Sequence, residues 1–393
     1  MLTIALTRHP HARKELLLGK TLRVVSRSGL NPTEKRLIEA LPLLQKQSTP
    51  IINPIFLGGR TGALAMAVWL ILGDRLQGKL TVHTFDAHTL QILKRNLAEN
   101  NAPEALLSAQ AETDLTTLTQ AGCSHVFWQL TKGDGTAERD LETLEQLFDA
   151  PENSERRFTI VAEEPNETFL KRFRKHCANV LVKTQDGLTL IRGTLAKPLP
   201  SVERASRSAD FEVSLKGHDT ISLTTLPGCF CHRRADMGGL ALTEVVAEHI
   251  ALDKGDRVMD MGCGCGMNGI LLATAFPEKA LRIDYQDSNR CAYDSAKLNL
   301  QRYPHQSELY FSADGIGKAS SYDLFLANPP YFGDWRIAEF FIETAARLLK
   351  RGGLLAFVSK RESKPLEMME KAGFDLLGTF SRRGYTVLLM TRR

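Results

Sequence analysis

The residues whose types and spacing could do chemistry lie within 256–331. An apolar strand pattern, Val258-Met259-Asp260-Met261, runs into Gly262-Cys263-Gly264-Cys265-Gly266, and a helix is expected from near Met267. Glycines let the backbone approach a ligand closely, and a helix that starts there points its N-terminus at the site. A second apolar strand over 281–286 ends at Asp287, whose carboxylate could accept hydrogen bonds from both hydroxyls of a ribose. The glycine spacing is not G-x-G-x-x-G, and Asp260 would repel a pyrophosphate. An adenosine ligand carrying a cationic group therefore fits better than a dinucleotide. Asp314, at the end of a third strand, could accept from the adenine amino group.

Asn328-Pro329-Pro330-Tyr331 follows a further apolar strand over 322–327. Each proline fixes its own φ and biases the preceding residue away from helix, so this segment leaves the sheet along one rigid, extended path. The Asn328 side chain and the Pro329 carbonyl are then free to accept hydrogen bonds from a planar amino group, and Tyr331 offers a ring on which a flat substrate could stack. The glycine turn and ribose carboxylate resemble those of class I methyltransferases, whose cofactor S-adenosyl-L-methionine has a sulfonium and an amino group but no phosphate. In the families it resembles, the Asn-Pro-Pro-Tyr motif serves methylation of exocyclic or amide nitrogens.

The elements that must position these residues form an α/β pattern. After a hairpin over 211–215 and 220–224, the second half alternates helix 240–250, the motif strand, the Asp287 strand, helix 288–302, strand 308–312, strand 322–327, helix 336–349, strand 354–359 and helix 363–371. A hairpin, 374–380 with 384–391, closes it. The first half alternates likewise: strands 21–25, 51–57, 80–85, 125–130 and 158–162, helices 33–46, 62–72, 87–100, 138–148 and 166–176, and a hairpin through 179–182 and 188–192. Such alternation implies a parallel sheet covered by helices. Gly58-Gly59-Arg60-Thr61-Gly62 and Asp86 stand where the glycine turn and the ribose carboxylate would be, and Lys94-Arg95-Asn96-Leu97 echoes Lys297-Leu298-Asn299-Leu300. Trp128-Gln129-Leu130-Thr131 replaces the Asn-Pro-Pro-Tyr segment, so the first copy has no chemistry of its own.

The expected architecture is thus α/β, with two Rossmann-like domains in tandem: a degenerate one over 1–200 and an active one over 201–393. Residues 195–210, rich in Pro, Ser and charge, form the linker. At 393 residues, 43% apolar, 24% charged and with a net charge of +5, the chain is globular with a modest basic bias that permits a nucleic-acid partner. The N-terminus lacks the pattern of a signal peptide, and the longest apolar run, 63–72, is too short to span a bilayer, so a cytoplasmic protein with no membrane partner is expected. The seven cysteines fit a reducing compartment, and the C-x-C pairs at Cys229/Cys231 and Cys263/Cys265 read as small packing residues and not as metal ligands. Arg8, Arg13, Lys14, Lys20 and Arg23 against the single acid Glu15 read by default as a solvated face, and more sharply as an RNA-contacting arm. The acidic stretch 134–164 is expected to face solvent.

Within the class I methyltransferases the chain resembles the bacterial ribosomal RNA guanine-N2 methyltransferases of the small-subunit methyltransferase C and large-subunit methyltransferase G type. Gly228-x-Phe230 with Asp236-x-Gly238, Asp260-x-Gly262-x-Gly264-x-Gly266, Asp287-x-Asn289 and Asn328-Pro329-Pro330-Tyr331 carry the resemblance. It implies an S-adenosylmethionine-dependent enzyme acting on ribosomal RNA or a ribosomal subunit, with a monomer as the expected state. Asn328, Pro329, Pro330 and Tyr331 would be catalytic, and Phe230, Asp236, Asp260, Gly262, Gly264, Gly266, Asp287, Asp314 and Asn328 would bind the cofactor. The family usually carries Phe where Tyr331 stands; Tyr is commoner in glutamine-N5 and adenine-N6 methyltransferases, which are the alternatives within the same chemistry. A non-catalytic RNA-binding assembly factor is the alternative from another class.

Overall fold

The computed structural model describes residues 3–5, 15–16, 21–23, 32–40, 49–58, 62–103, 107–120, 122–130, 136–151, 155–330, 335–361 and 363–393. The chain divides into two units, Met1–Arg207 and Ser208–Arg393. This division falls inside the linker expected over 195–210.

In the second unit the motif strand Arg257–Met261 is buried on both faces from Val258 onward, the burial that a central parallel strand requires. It pairs in parallel with Arg282–Asp287 on one side and Tyr322–Ala327 on the other. The full sheet runs Ser307–Phe311, Arg282–Asp287, Arg257–Met261, Tyr322–Ala327, Leu349–Ser359, Tyr385–Arg392, Phe374–Arg382. Only Tyr385–Arg392 is antiparallel to its neighbours. Strand order reverses beside Arg257–Met261, and a crevice opens at the carboxyl ends of the strands at such a switch point. The glycine turn and Asn328 both emerge there.

The first unit has the same sheet, position for position: Leu107–Gln110, Leu80–His83, Ile55–Leu57, His125–Leu130, Arg157–Ala162, Leu188–Leu195, Cys177–Gln185, again with only the sixth strand antiparallel. The tandem Rossmann-like architecture read from the sequence is borne out. Sequence patterning overlooked the edge strand Leu107–Gln110 and the short helix Thr116–Gln120. Leu-Ser-Ala-Gln has one large apolar residue and no period, so its place is fixed by pairing with Leu80–His83 and not by its own pattern. The helix expected over 33–46 is described over Pro32–Ala40, and 41–48 lie outside the described residues.

The acidic stretch departs from the solvent-facing expectation. Glu145 is buried and ion-paired to Arg172 at 3.1 Å and Arg207 at 2.8 Å. Arg156, also buried, donates to the carbonyls of Cys123, Leu147, Asp149 and Thr119. Charges enter a core only when hydrogen-bonded in this way, and spacing along the chain does not reveal it.

Gly58, the first glycine of the degenerate turn, has φ +77°, and a Cβ there would collide with the Gln129 carbonyl oxygen; residues 59–61 lie outside the described residues. Asp86 caps helix Ala87–Glu99, accepting from the Thr89 amide at 2.7 Å.

Candidate active site

All three motif glycines adopt positive φ, +69° at Gly262, +58° at Gly264 and +83° at Gly266, which side chains with a Cβ rarely tolerate. Their surroundings differ. A Cβ on Gly262 would meet Phe341 at 2.9 Å and one on Gly266 would meet Ile270 at 3.1 Å, whereas one on Gly264 would have nothing within 4 Å. Gly264 therefore faces the open cleft. Gly266 is the N-cap of helix Met267–Ala275.

Asp287 holds this turn from the neighbouring strand. Its Oδ2 accepts from the Gly264 amide at 2.9 Å and its Oδ1 from the Asn289 amide at 2.8 Å. Asn289 caps helix Arg290–Arg302, and its Nδ2 donates to the Gly228 carbonyl at 2.9 Å, which ties the loop after the first hairpin to the same place. Asn299 is buried and donates to the carbonyls of Cys265 and Thr224, both at 2.9 Å.

Asp260 is 1% exposed. Burial pushes its carboxyl up to about 7, and the neighbouring Asp287 pushes the same way. The Gly269 amide, donating at 3.2 Å, and the Asn268 side chain act against that shift. The site therefore holds a carboxyl that a cation would help to ionise.

Asp236 caps helix Met237–His249, with Oδ1 accepting from the Gly238 amide at 3.2 Å and Oδ2 from the Gly239 amide at 2.9 Å. The Nδ2 of Asn328 donates to the same Oδ2. An ionised carboxylate only accepts, so the amide must turn its NH2 toward Asp236 and is left with Oδ1 unused by this pair. A Cβ on Gly238 would stand 3.4 Å from Asn328 Oδ1 and 3.2 Å from the Tyr385 ring. Asn328, the helix N-terminus and Tyr385 thus converge on one spot.

The cleft is open to solvent, with about 450 Å³ of space inside and above it. Of the residues singled out in the sequence, Phe230, Asp236, Gly262, Gly264 and Asn328 line it. Asp260, Gly266 and Asp287 are not among the lining residues, and Asp287 reaches the lining through its bond from the Gly264 amide. Phe230 is 66% exposed, a ring presented to solvent at the cleft edge. Asp314 is exposed and does not line the cleft; its amide donates to Ser312 Oγ at 3.0 Å and its carbonyl accepts from Gln286 Nε2 at 2.5 Å. Pro329 and Pro330 continue from strand Tyr322–Ala327 without lining the cleft, and Tyr331 lies outside the described residues.

Sequence reading missed Asn268 and Phe211, which line the cleft, and Tyr385, which stands beside it. Phe211 belongs to hairpin strand Ala209–Val213 and Tyr385 to strand Tyr385–Arg392, so neither is near a motif in the chain. Asn268 directly follows the glycine turn and was open to recognition as a polar residue in a helix first turn. Among the described residues no group of His, Cys, Asp and Glu could hold a metal ion, and all seven cysteines are free. Burial raises the thiols of Cys229, Cys263 and Cys265, in keeping with packing residues.

Residues 220–388 match the family model of the methyltransferase small domain. The match lies within the second unit. The chain is 33% identical over 156 residues, 38% of its length and 44% of the relative's, to the ribosomal RNA small subunit methyltransferase C of Hahella chejuensis. It is 32% identical over 145 residues, 35% of its length and 36% of the relative's, to the ribosomal RNA large subunit methyltransferase G of Alcanivorax borkumensis. The chain spans about half the length of the curated relatives it matches, and less in some. The solved T. thermophilus 16S rRNA N2 methyltransferase, in complex with AdoMet and guanosine, superimposes with a TM-score of 0.72 over 95% of both chains at 18% identity, which extends the shared fold to the first unit. The resemblance to the guanine-N2 methyltransferases that modify ribosomal RNA is borne out. No helix among the described residues is long and apolar enough to cross a membrane.

Proposed function

We propose that the chain is an S-adenosylmethionine-dependent N-methyltransferase acting on an exocyclic amine of a ribosomal RNA base, guanine N2 foremost. The observation that carries this reading is the position of Asn328, whose side chain lines the same cleft as Gly264 and emerges from the strand beside the glycine turn. The names of the relatives support the RNA substrate. The duplicated α/β first unit speaks against a glutamine-N5 methyltransferase, which resembles a catalytic domain joined to a small helical module.

The residues fit the cofactor. Gly264 leaves an open place that any Cβ would fill, Asp287 places a carboxylate beside that turn, Phe230 offers an apolar ring, and Asp260 favours positive charge in the cleft. When bound, S-adenosylmethionine supplies an electrophilic methyl group on a sulfonium. The chain's part is to prepare the acceptor. An amine conjugated to a purine is a poor nucleophile, and its lone pair becomes available only as the nitrogen moves toward tetrahedral geometry. Asn328 Oδ1 and the Pro329 carbonyl would accept from its two hydrogens and bind most strongly as positive charge develops there. The nitrogen lone pair would take the methyl as the carbon–sulfur bond breaks and leaves its electron pair on a neutral thioether sulfur, and the nitrogen would then give one proton to water, so no base is needed beforehand.

Asn328→Ala is expected to lower kcat by about 10²–10³, the cost of removing one preorganised hydrogen-bonding group, while calorimetry finds S-adenosylmethionine affinity nearly intact. Near-normal turnover would overturn the mechanism. The first unit, including its basic N-terminal residues, would supply RNA affinity and not chemistry.

A further inference from the structure

We infer that Asp236 is a positioning residue that sets which atom of the Asn328 carboxamide faces the acceptor base. This rests on the function proposed for Asn328. Asparagine is ambivalent: one end of its amide accepts and the other donates, and the two differ by a half-turn of the side chain. A target amine must meet the oxygen. Presented with the NH2 end, it would find a donor facing its own donors, and the chemistry would stop.

Among the described residues, Asp236 chooses between the two orientations. Its carboxylate accepts from the Gly238 and Gly239 amides and from the Cys231 thiol, and it takes the Asn328 NH2 as a further donor. The helix N-terminus at Met237 favours that negative charge. The geometry around the pair is closed: a Cβ on Gly239 would come within 3.2 Å of Asp236 Oδ2 and 2.7 Å of Asn268 Oδ1, and one on Gly238 would come within 3.4 Å of Asn328 Oδ1. The two glycines after Asp236 thus leave the space in which carboxylate and amide meet. Residues 92 positions apart in the chain act as one acceptor.

The test is Asp236→Asn in the full chain. Asparagine caps helices about as well as aspartate, so the cap persists and the melting temperature stays within a few degrees. The Asn328 NH2 loses its ionised partner, and kcat at saturating S-adenosylmethionine is expected to fall about 10–100-fold, the usual effect of losing an outer residue that orients an inner one. Cofactor affinity by calorimetry stays within about threefold, and the effect is strongly non-additive with Asn328→Ala. A swapped pair supplies the second reading: Asn328→Asp alone sets two carboxylates face to face, whereas D236N/N328D restores an amide donating to a carboxylate that keeps an oxygen for the base. The double variant should recover at least about tenfold over Asn328→Asp. Normal turnover in Asp236→Asn, with Asn328→Ala inactive, overturns the inference alone. Normal turnover in Asn328→Ala overturns the proposed mechanism and the inference with it. A loss of cofactor affinity with kcat unchanged moves Asp236 to cofactor binding and also overturns the inference.

Discussion

Asp260 is the residue whose environment does most to shape the site's charge. A carboxyl raised to about 7 is protonated in the fold over a pH range where the unfolded chain, near 3.8, has already lost its proton. Its contribution to stability is therefore fully present below about 4 and is lost as pH rises through about 7. Cation binding runs the other way, because a sulfonium favours the ionised form. S-adenosylmethionine affinity should rise between about pH 6 and 8 when measured by calorimetry, and Asp260→Asn should flatten the profile while lowering affinity at the alkaline end. A wild-type profile that is already flat would separate Asp260 from ligand charge. Asp287, by contrast, reads in the sequence as a ribose ligand alone, and its bonds to the Gly264 and Asn289 amides make it a brace for the turn as well.

At the scale of elements, the turn and the helix after it use glycine for two different reasons, and substitution should separate them. Gly264 has φ +58° and open space beyond it, so Gly264→Ala incurs roughly 1–2 kcal/mol of left-handed strain and places a methyl in the cleft. Cofactor affinity is expected to drop by more than the melting temperature would suggest. Gly269 sits inside helix Met267–Ala275 with no unusual φ, but a Cβ there would lie 2.5 Å from the Tyr285 ring and hydroxyl. Gly269→Ala should therefore destabilise by about 1–3 kcal/mol through overpacking, read as a lower melting temperature. Equal thermal effects in the two variants would mean that the cleft does not distinguish these glycines.

For the whole molecule, the two units share one topology but differ in what the strand ends carry. The glycine directly after the first motif strand is packed in both units, Gly58 by Gln129 and Gly262 by Phe341, and Asn328-Pro329-Pro330 ends the strand in the second where Trp128-Gln129-Leu130 stands in the first. The function proposed above gives RNA holding to the first unit and RNA modification to the second. Replacing Arg8, Arg13, Lys14 and Lys20 together by Ala in the full chain is expected to raise KM for ribosomal RNA, leave kcat unchanged and reduce the salt dependence of binding, by a slope of roughly 0.7–0.9 per lost phosphate contact. An unaltered KM and salt response would remove these residues from the RNA path. They lie outside the described residues, so composition alone motivates the test.

The sequence by itself determined the chemistry's ingredients. The glycine turn, the strand ending at Asp287 and the Asn-Pro-Pro segment are local, because positive φ, a helix start and a proline-locked path are each decided within a few residues. The alternation of strands and helices likewise announced the two parallel sheets, apart from Leu107–Gln110, whose pattern is too weak to read. What only the tertiary structure decided is how those ingredients face each other. That Asp236 meets Asn328, that Phe211 lines the cleft with Tyr385 beside it, that Asp314 is not among the lining residues, and that Gly262 is packed while Gly264 is open all depend on contacts between segments far apart in the chain. Hydrogen-bond partners and free volume are properties of packed neighbours, and no spacing along one strand or helix encodes them.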